Sequence, residues 1–170
     1  MLGILPQDLM LQTIKLFHKE LPDAFFFIAA YSIDFSKEGV IVYNNAPVPT
    51  SASNLPAAKE FREYLKQAGL SPTIMECNYC FHGYLAAKLF VVALKKAAEN
   101  NAITREGIID AFESLRDVDI GIDYPISLGK NDHEALKKAW FYIVKDGKQV
   151  NVSWSDIGKD GALKSQTNPQ

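Results

Sequence analysis

The pattern of apolar and polar positions predicts alternating helices and strands from the start of the chain. Apolar residues recur at helical spacing through residues 9–21, and Pro22 ends the pattern. The run 25–30 is apolar throughout, which is typical of a strand buried on both faces. Residues 39–43, "GVIVY", predict a second buried strand. A loop rich in proline and small polar residues then follows.

The next apolar stripe predicts an amphipathic helix. Its members are Leu55, Ala58, Phe61, Leu65 and Ala68. Asn54 is a suitable N-cap for this helix, and Gly69 followed by Pro72 supplies the expected stop. We expect a helix that packs one face onto a core.

A short strand over 73–76 and a long helix over about 82–99 are predicted next. Apolar residues cover nearly the whole circumference of the long helix, so we expect it to be mostly buried. Thr104 predicts the N-cap of a further helix, with Glu106 in its first turn. The residues expected to face inward from this last helix are Ile108, Ile109, Phe112 and Leu115.

The last third of the chain changes to a strand pattern. Two β-rich runs flank Asp146-Gly147, a strong hairpin signal, and the polar sequence from Lys159 onward predicts a disordered tail. Alternating elements of this kind predict an α/β protein with a mainly parallel sheet and a C-terminal antiparallel hairpin. Ligands of such sheets lie beyond the carboxyl ends of the strands. This rule directs attention to Gln7, residues 30–32, Asn44 and the connection 77–82.

Composition restricts the classes of function. The chain has 170 residues, is 48% hydrophobic and carries a formal net charge of -2, which fits one globular domain. No clustered Lys/Arg stripe is present, so nucleic acid is not an expected partner. No uninterrupted apolar run reaches the length of a membrane span, so we expect no direct membrane insertion.

Two cysteines and a histidine, Cys77, Cys80 and His82, precede the long predicted helix. A C-x-x-C pair at a helix N-terminus is the arrangement of thiol oxidoreductases, because the helix dipole stabilises a thiolate. A closed zinc site needs a fourth ligand, and His18 and His133 fall in a helix face and a turn. The interpretation we favour is that the cysteines are small apolar residues packed at a corner.

Other catalytic patterns are missing from the sequence. It contains no G-x-S-x-G elbow, no phosphate-binding P-loop and no G-x-G-x-x-G fingerprint. Four carboxylates cluster in sequence, and solvated helix surface explains them better than a catalytic site: Asp110, Glu113, Asp117 and Asp119. We therefore expect no enzymatic activity.

The order of several segments resembles a known family. "GVIVYNNAPVP", "NLPAAKEFREYLKQAG", "GYLAAKLFVVALKKAA" and "ITREGIIDAFESLRDVDIGIDYPISLGKNDHEALKKAWFYIVKDGK" occur in that succession. They resemble the later portion of extracellular ligand-binding receptors of the branched-chain amino acid type, the substrate-binding proteins of ABC importers. The resemblance covers roughly residues 39–148 and, more loosely, 2–31. His82 departs from it, because related sequences have an acidic or small residue there.

The resemblance implies a partial type I periplasmic-binding fold, Rossmann-like, with helices on both faces of the sheet. Residues 1–50 would belong to the second ligand-binding lobe, 51–158 would return to the first lobe and hinge, and 159–170 would form the disordered tail. It also implies a periplasmic location, an ABC permease as membrane partner, and no cofactor or metal. We expect a secretion signal and a first α/β lobe upstream of Met1.

The resemblance also suggests where a small ligand, such as an amino acid, an amide or an aromatic acid, would be held. Tyr31 and Ser32 follow a buried strand, where the second lobe contributes groups to the ligand. Tyr79 and Phe81 resemble the aromatic wall near the hinge, and Gln7 and Asn44 are weaker candidates. Packing roles for these aromatic residues, and a turn-forming role for Asn44, remain open alternatives.

The sequence leaves two other functions open. The same lobes could serve as the ligand-sensing domain of a signalling protein, which a downstream domain in the parent gene would favour. The C-x-x-C pair leaves a thiol oxidoreductase as the other alternative.

Overall fold

The computed structural model describes residues 7–21, 26–29, 40–50, 53–71, 74–75, 77–145 and 148–157. The polar tail from Lys159, and the candidates Tyr31 and Ser32, lie outside these ranges. The chain divides into a sheet unit, 1–45 with 139–170, and a helical unit, 46–138.

The elements of each unit are as follows. The sheet unit holds α1 (Gln7–Glu20), β1 (Phe26–Ala29), β2 (Val40–Asn44), β3 (Trp140–Lys145), β4 (Lys148–Val152) and a short 3-10 helix, Trp154–Asp156. The helical unit holds α2 (Pro56–Gln67), α3 (Asn78–Glu99) and α4 (Arg105–Glu113).

The sheet has the strand order β1-β2-β3-β4. β1 and β2 are parallel, whereas β3 runs antiparallel to both β2 and β4. The α/β class and the C-terminal hairpin are confirmed. The described sheet differs from a mainly parallel one because β3 returns beside β2 in the opposite direction. A continuous apolar run reports burial on both faces of a strand, which is typical of parallel sheets but does not fix the direction of the neighbouring strand.

α2 buries Ala58, Phe61 and Leu65 of its predicted stripe, together with Ala57, whereas Ala68 is exposed. The expected cap by Asn54 is wrong. Leu55 is the N-cap, because Pro56 takes the first helical position that proline favours. The apolar side chain of Leu55 makes no capping bond. The stop is confirmed, since Gly69 has φ +66 and Leu70 N donates to Leu65 O at 3.0 Å, closing a Schellman motif.

α3 begins at Asn78, earlier than the sequence predicted. Ile74 and Met75 lie in a 3-10 turn, so the predicted strand is wrong at these positions. The expectation that the helix is mostly buried is also wrong, because six of its 22 residues are buried and Phe90 and Val91 are 44% and 46% exposed. One face of α3 packs against the rest of the unit, and its buried apolar residues are Phe81, Leu85, Leu89, Ala93 and Ala97.

α4 begins as predicted, because Thr104 Oγ1 accepts a hydrogen bond from Gly107 N at 3.0 Å. Ile109, expected to face inward, is 44% exposed. The irregular segment after α4 completes the core of the helical unit with five buried residues: Leu115, Ile120, Ile122, Ile126 and Leu128.

Within the described ranges, no helix combines the length and apolar character needed to cross a bilayer.

Candidate functional site

The predicted site residues divide between the two units. Gln7 is the first residue of α1 and Asn44 is the last residue of β2, both in the sheet unit. Tyr79 and Phe81 lie in the first turn of α3, in the helical unit. Of the four candidates that the structure describes, Tyr79 and Phe81 share one helical turn. The convergence of all six residues on one ligand stays a prediction.

Residues 77–82, here called the α3 entry turn, are fixed by a disulfide between Cys77 and Cys80. The two Cα atoms are 5.3 Å apart. Cys77 is also the N-cap of α3, and its sulfur accepts a hydrogen bond from Cys80 N at 3.2 Å. The interpretation of both residues as packed free cysteines is wrong, since they are oxidised and Cys80 is exposed.

The two aromatic candidates occupy different environments. Phe81 is fully buried, and its ring lies 5.3 Å from that of Phe61 and 6.2 Å from that of Tyr84. Tyr79 is 59% exposed. Because the two residues are two positions apart on a helix, their side chains point in well-separated directions. Of the two, Tyr79 is the one accessible to a solute.

Three polar side chains carry buried atoms without hydrogen-bond partners. Both amide atoms of Asn78, Nε2 of His82 and Nδ2 of Asn44 are in this state. Burial lowers the pKa of His82 below its usual value, which favours the neutral imidazole at neutral pH. Of the three, only Asn44 was predicted as a site residue. The sequence signal for Asn78 and His82 was a pair of polar residues at i and i+4 near the start of a helix rich in apolar residues.

A polar link connects α2 to α3. Glu60 accepts a hydrogen bond from Tyr84 Oη at 3.0 Å and forms an ion pair with Lys88. The hydrogen bond from Lys88 is the main cause that lowers the pKa of Glu60. Burial, together with Glu60, raises the pKa of Tyr84 to about 12.

The helical unit also contains an open cavity of about 380 Å³. Its walls are Pro56, Asp119, Gly121, Asp123, Tyr124 and Pro125. Asp119 Oδ1 accepts from Gly121 N at 2.7 Å, so one of the two carboxylates holds the loop in place. Across the described part of the chain, no three His, Cys, Asp or Glu side chains are grouped so that they could hold a metal ion.

Comparisons with known proteins give structural matches only. No protein-family profile matches the sequence, and a search of curated proteins gives no match. A branched-chain amino acid ABC transporter protein from Thermus thermophilus, solved with bound valine, matches 84% of this chain and 42% of its own, with TM-score 0.66 and 19% identity. A possible leucine/isoleucine/valine-binding protein from Rhodopirellula baltica matches 70% of this chain and 31% of its own, with TM-score 0.53 and 26% identity.

A third similar structure has a different ligand class in its description. It is a fatty acid ABC transporter substrate-binding protein from Thermomonospora curvata, which matches 68% of this chain and 29% of its own, with TM-score 0.52 and 28% identity. The resemblance read from the sequence is therefore confirmed as a shared fold with ABC-transporter substrate-binding proteins. This chain spans less than half the length of each of these three structures.

Proposed function

We propose that this chain is part of the solute-binding component of an ABC importer and holds an amino acid or a related small molecule without catalysing a reaction. The observation that carries the proposal is the fold match to the valine-bound transporter protein over 84% of the chain. The lobe assignment, 1–50 and 51–158, belongs to this proposal, as does the permease as partner.

A periplasmic location is part of the same proposal. The disulfide of the α3 entry turn supports it, because disulfides form and persist in oxidising compartments outside the cytoplasm.

Tyr79 is the residue we propose as the main aromatic contact of the ligand in the helical unit. It is exposed, and the disulfide that encloses it fixes the backbone on both sides. A rigid aromatic side chain gives apolar contact at a small cost in conformational entropy. Tyr31, Ser32, Gln7 and Asn44 supply polar groups near strand or helix ends in this proposal, and Phe81 supports the wall from the core side.

Isothermal titration calorimetry of the purified chain with valine, leucine, phenylalanine and asparagine tests the proposal. We expect saturable binding of at least one of them, and we expect Tyr79→Ala to weaken it by about tenfold or more, as loss of an aromatic anchor does. Tyr64→Ala is the control, because Tyr64 is an exposed tyrosine of α2 in the same unit. Absence of saturable binding to the whole panel would contradict the proposal.

One observation favours a second candidate, thiol-disulfide exchange. The Cys77–Cys80 disulfide lies at the N-terminus of a long helix, and Cys80 is exposed. The test is an assay of disulfide reduction with the wild type and Cys80→Ser. Equal turnover by the two forms removes this candidate.

A further inference from the structure

We propose that Asn78 and His82 form a hydrogen-bonding subsite for an uncharged polar group of the ligand, a carboxamide or a hydroxyl. The inference rests on the proposed solute-binding function and names the chemistry that the bound solute must carry.

The first argument is the burial of three polar atoms without partners. Asn78 is 4% exposed, and its Nδ2 and Oδ1 atoms lack a hydrogen-bond partner, as does Nε2 of the half-buried His82. Buried side-chain polar atoms in folded proteins nearly always have a partner. Leaving one without a partner costs about 1–3 kcal/mol. A ligand group that hydrogen-bonds to these three atoms removes that cost.

The second argument is their placement. Asn78 and His82 are four residues apart on α3, so their side chains lie on one face of the helix, one turn from each other. The Cys77–Cys80 disulfide closes around Asn78, and the Cys77 cap fixes the same turn. The backbone under the subsite is therefore held in one conformation before a ligand arrives, which reduces the entropy lost on binding.

The third argument is the type of hydrogen bond that the subsite needs. Asn78 offers two donors at Nδ2 and one acceptor at Oδ1, and a neutral imidazole nitrogen either donates or accepts. A carboxylate cannot donate, so it leaves Oδ1 of Asn78 without a partner. A carboxamide or a hydroxyl both donates and accepts, so it satisfies both amide atoms.

Along α3, which the structure describes throughout, no acidic side chain and no lysine or arginine comes before Lys88 to balance an ionic ligand group. Lys88, the next basic residue along α3, is already paired with Glu60. Burial keeps the imidazole of His82 neutral at neutral pH. Burying a charge without a partner is costly, so these surroundings select an uncharged group.

Two near-isosteric ligand pairs, asparagine with leucine and threonine with valine, test the subsite in calorimetric titrations of the full chain. We expect the polar member of at least one pair to bind at least tenfold more tightly than its apolar partner. In Asn78→Leu, which keeps the shape of the side chain and removes both polar atoms, we expect this preference to disappear or reverse. Asn54→Leu is the control, because Asn54 is exposed in the same unit.

A thermal melt of the same variants gives a second readout. Replacing an unsatisfied buried amide by an apolar group of the same shape is neutral or stabilising, so Asn78→Leu should melt at or above the wild-type temperature. His82→Phe should likewise weaken the preference for the polar ligand without lowering the melting temperature.

The outcomes separate this inference from the proposed function. Equal binding of polar and apolar partners by the wild type overturns the subsite but leaves solute binding in place. A clearly destabilised Asn78→Leu with unchanged preference also overturns the subsite, because Asn78 then has a structural partner. Failure of every amino acid to bind any form overturns the proposed function, and the subsite with it.

Discussion

Phe81 shows how one aromatic side chain links two helices of the helical unit. It is fully buried, with its ring 5.3 Å from Phe61 of α2. Truncation removes apolar contact on both helices and leaves a cavity. We expect Phe81→Ala to lower the free energy of unfolding by about 3–5 kcal/mol in denaturant titrations.

Tyr64→Ala is the matched control for that measurement, because Tyr64 is an aromatic residue that is 63% exposed. We expect it to change stability by about 0.5 kcal/mol or less. Comparable losses in the two variants would show that Phe81 is not a core residue.

Two glycines in helices give opposite expectations for the same substitution. An added Cβ at Gly107 would lie 2.7 Å from Ala102 Cβ, whereas one at Gly83 would meet nothing within 4 Å. We expect Gly107→Ala to destabilise the protein by about 1–3 kcal/mol, as overpacking does. Gly83→Ala should stabilise it by about 0.5–1 kcal/mol, because glycine is unfavourable inside a helix. Thermal melts of both variants measure the two effects. Melting temperatures that both rise or both fall would contradict the expected difference between the two glycines.

Individual residues were predictable where one local rule decided their role. Thr104 and Gly69 follow such rules, for an N-cap and for a left-handed helix end. The distinction between Tyr79 and Phe81 was not predictable, because it depends on where α3 begins. A helix from about residue 82 leaves both in a connection, whereas a helix from Asn78 turns them to different sides.

The α2–α3 pair is tied by a polar link whose strength depends on pH. Tyr84 donates to Glu60, and its pKa is raised to about 12 in the folded protein, first by burial and then by Glu60. A raised folded-state pKa contributes stability that is fully present below the unfolded pKa, near 10, and is lost as the pH rises towards 12. We therefore expect the stability difference between the wild type and Tyr84→Phe to shrink between these two pH values.

Denaturant titrations of both proteins across that pH range measure the effect. Comparing the two proteins cancels the titration of the lysines, which both share. A stability difference that stays constant from neutral pH to pH 12 would show that the Tyr84 hydroxyl makes no such contribution.

Elements whose apolar residues recur at a regular spacing were predicted well, and elements that depend on tertiary packing were not. The stripe of α2 gave both the helix and its buried face. The apolar residues around nearly the whole circumference of α3 predicted a mostly buried helix, but its described packing covers one face and leaves Phe90 and Val91 exposed. The irregular segment from Leu115 to Leu128 has no period to detect, although it completes the core.

The helical unit has a hydrophobic core built from one continuous stretch of chain. All buried members of its main cluster lie between Ala46 and Leu128. We expect a protein of residues 46–138 alone to fold, with a helical circular dichroism spectrum and a cooperative thermal transition. Loss of the transition in this protein, while the whole chain keeps it, would show that the helical unit depends on the sheet unit.

At the scale of the whole molecule, the order of the segments was more informative than any single one. The succession from "GVIVYNNAPVP" to "WFYIVKDGK" predicted the fold that the solved structures share. The same succession could not show whether Gln7, Asn44 and Tyr79 converge on one ligand, because that depends on tertiary placement. Polar atoms left without partners, such as those of Asn78, become visible only once burial is known.

The pairing of β2 with β3 has a topological consequence. Asn44 and Trp140 are register partners, so the chain departs from the sheet after Asn44 and rejoins it at the same rung of the hydrogen-bonded ladder. The segment between Asn44 and Trp140 therefore begins and ends at neighbouring positions of the sheet. Doubling the length of such an excursion adds only about 0.6 kcal/mol of closure entropy. We therefore expect moderate insertions in the segment between Asn44 and Trp140 to leave β2 and β3 paired in the same register.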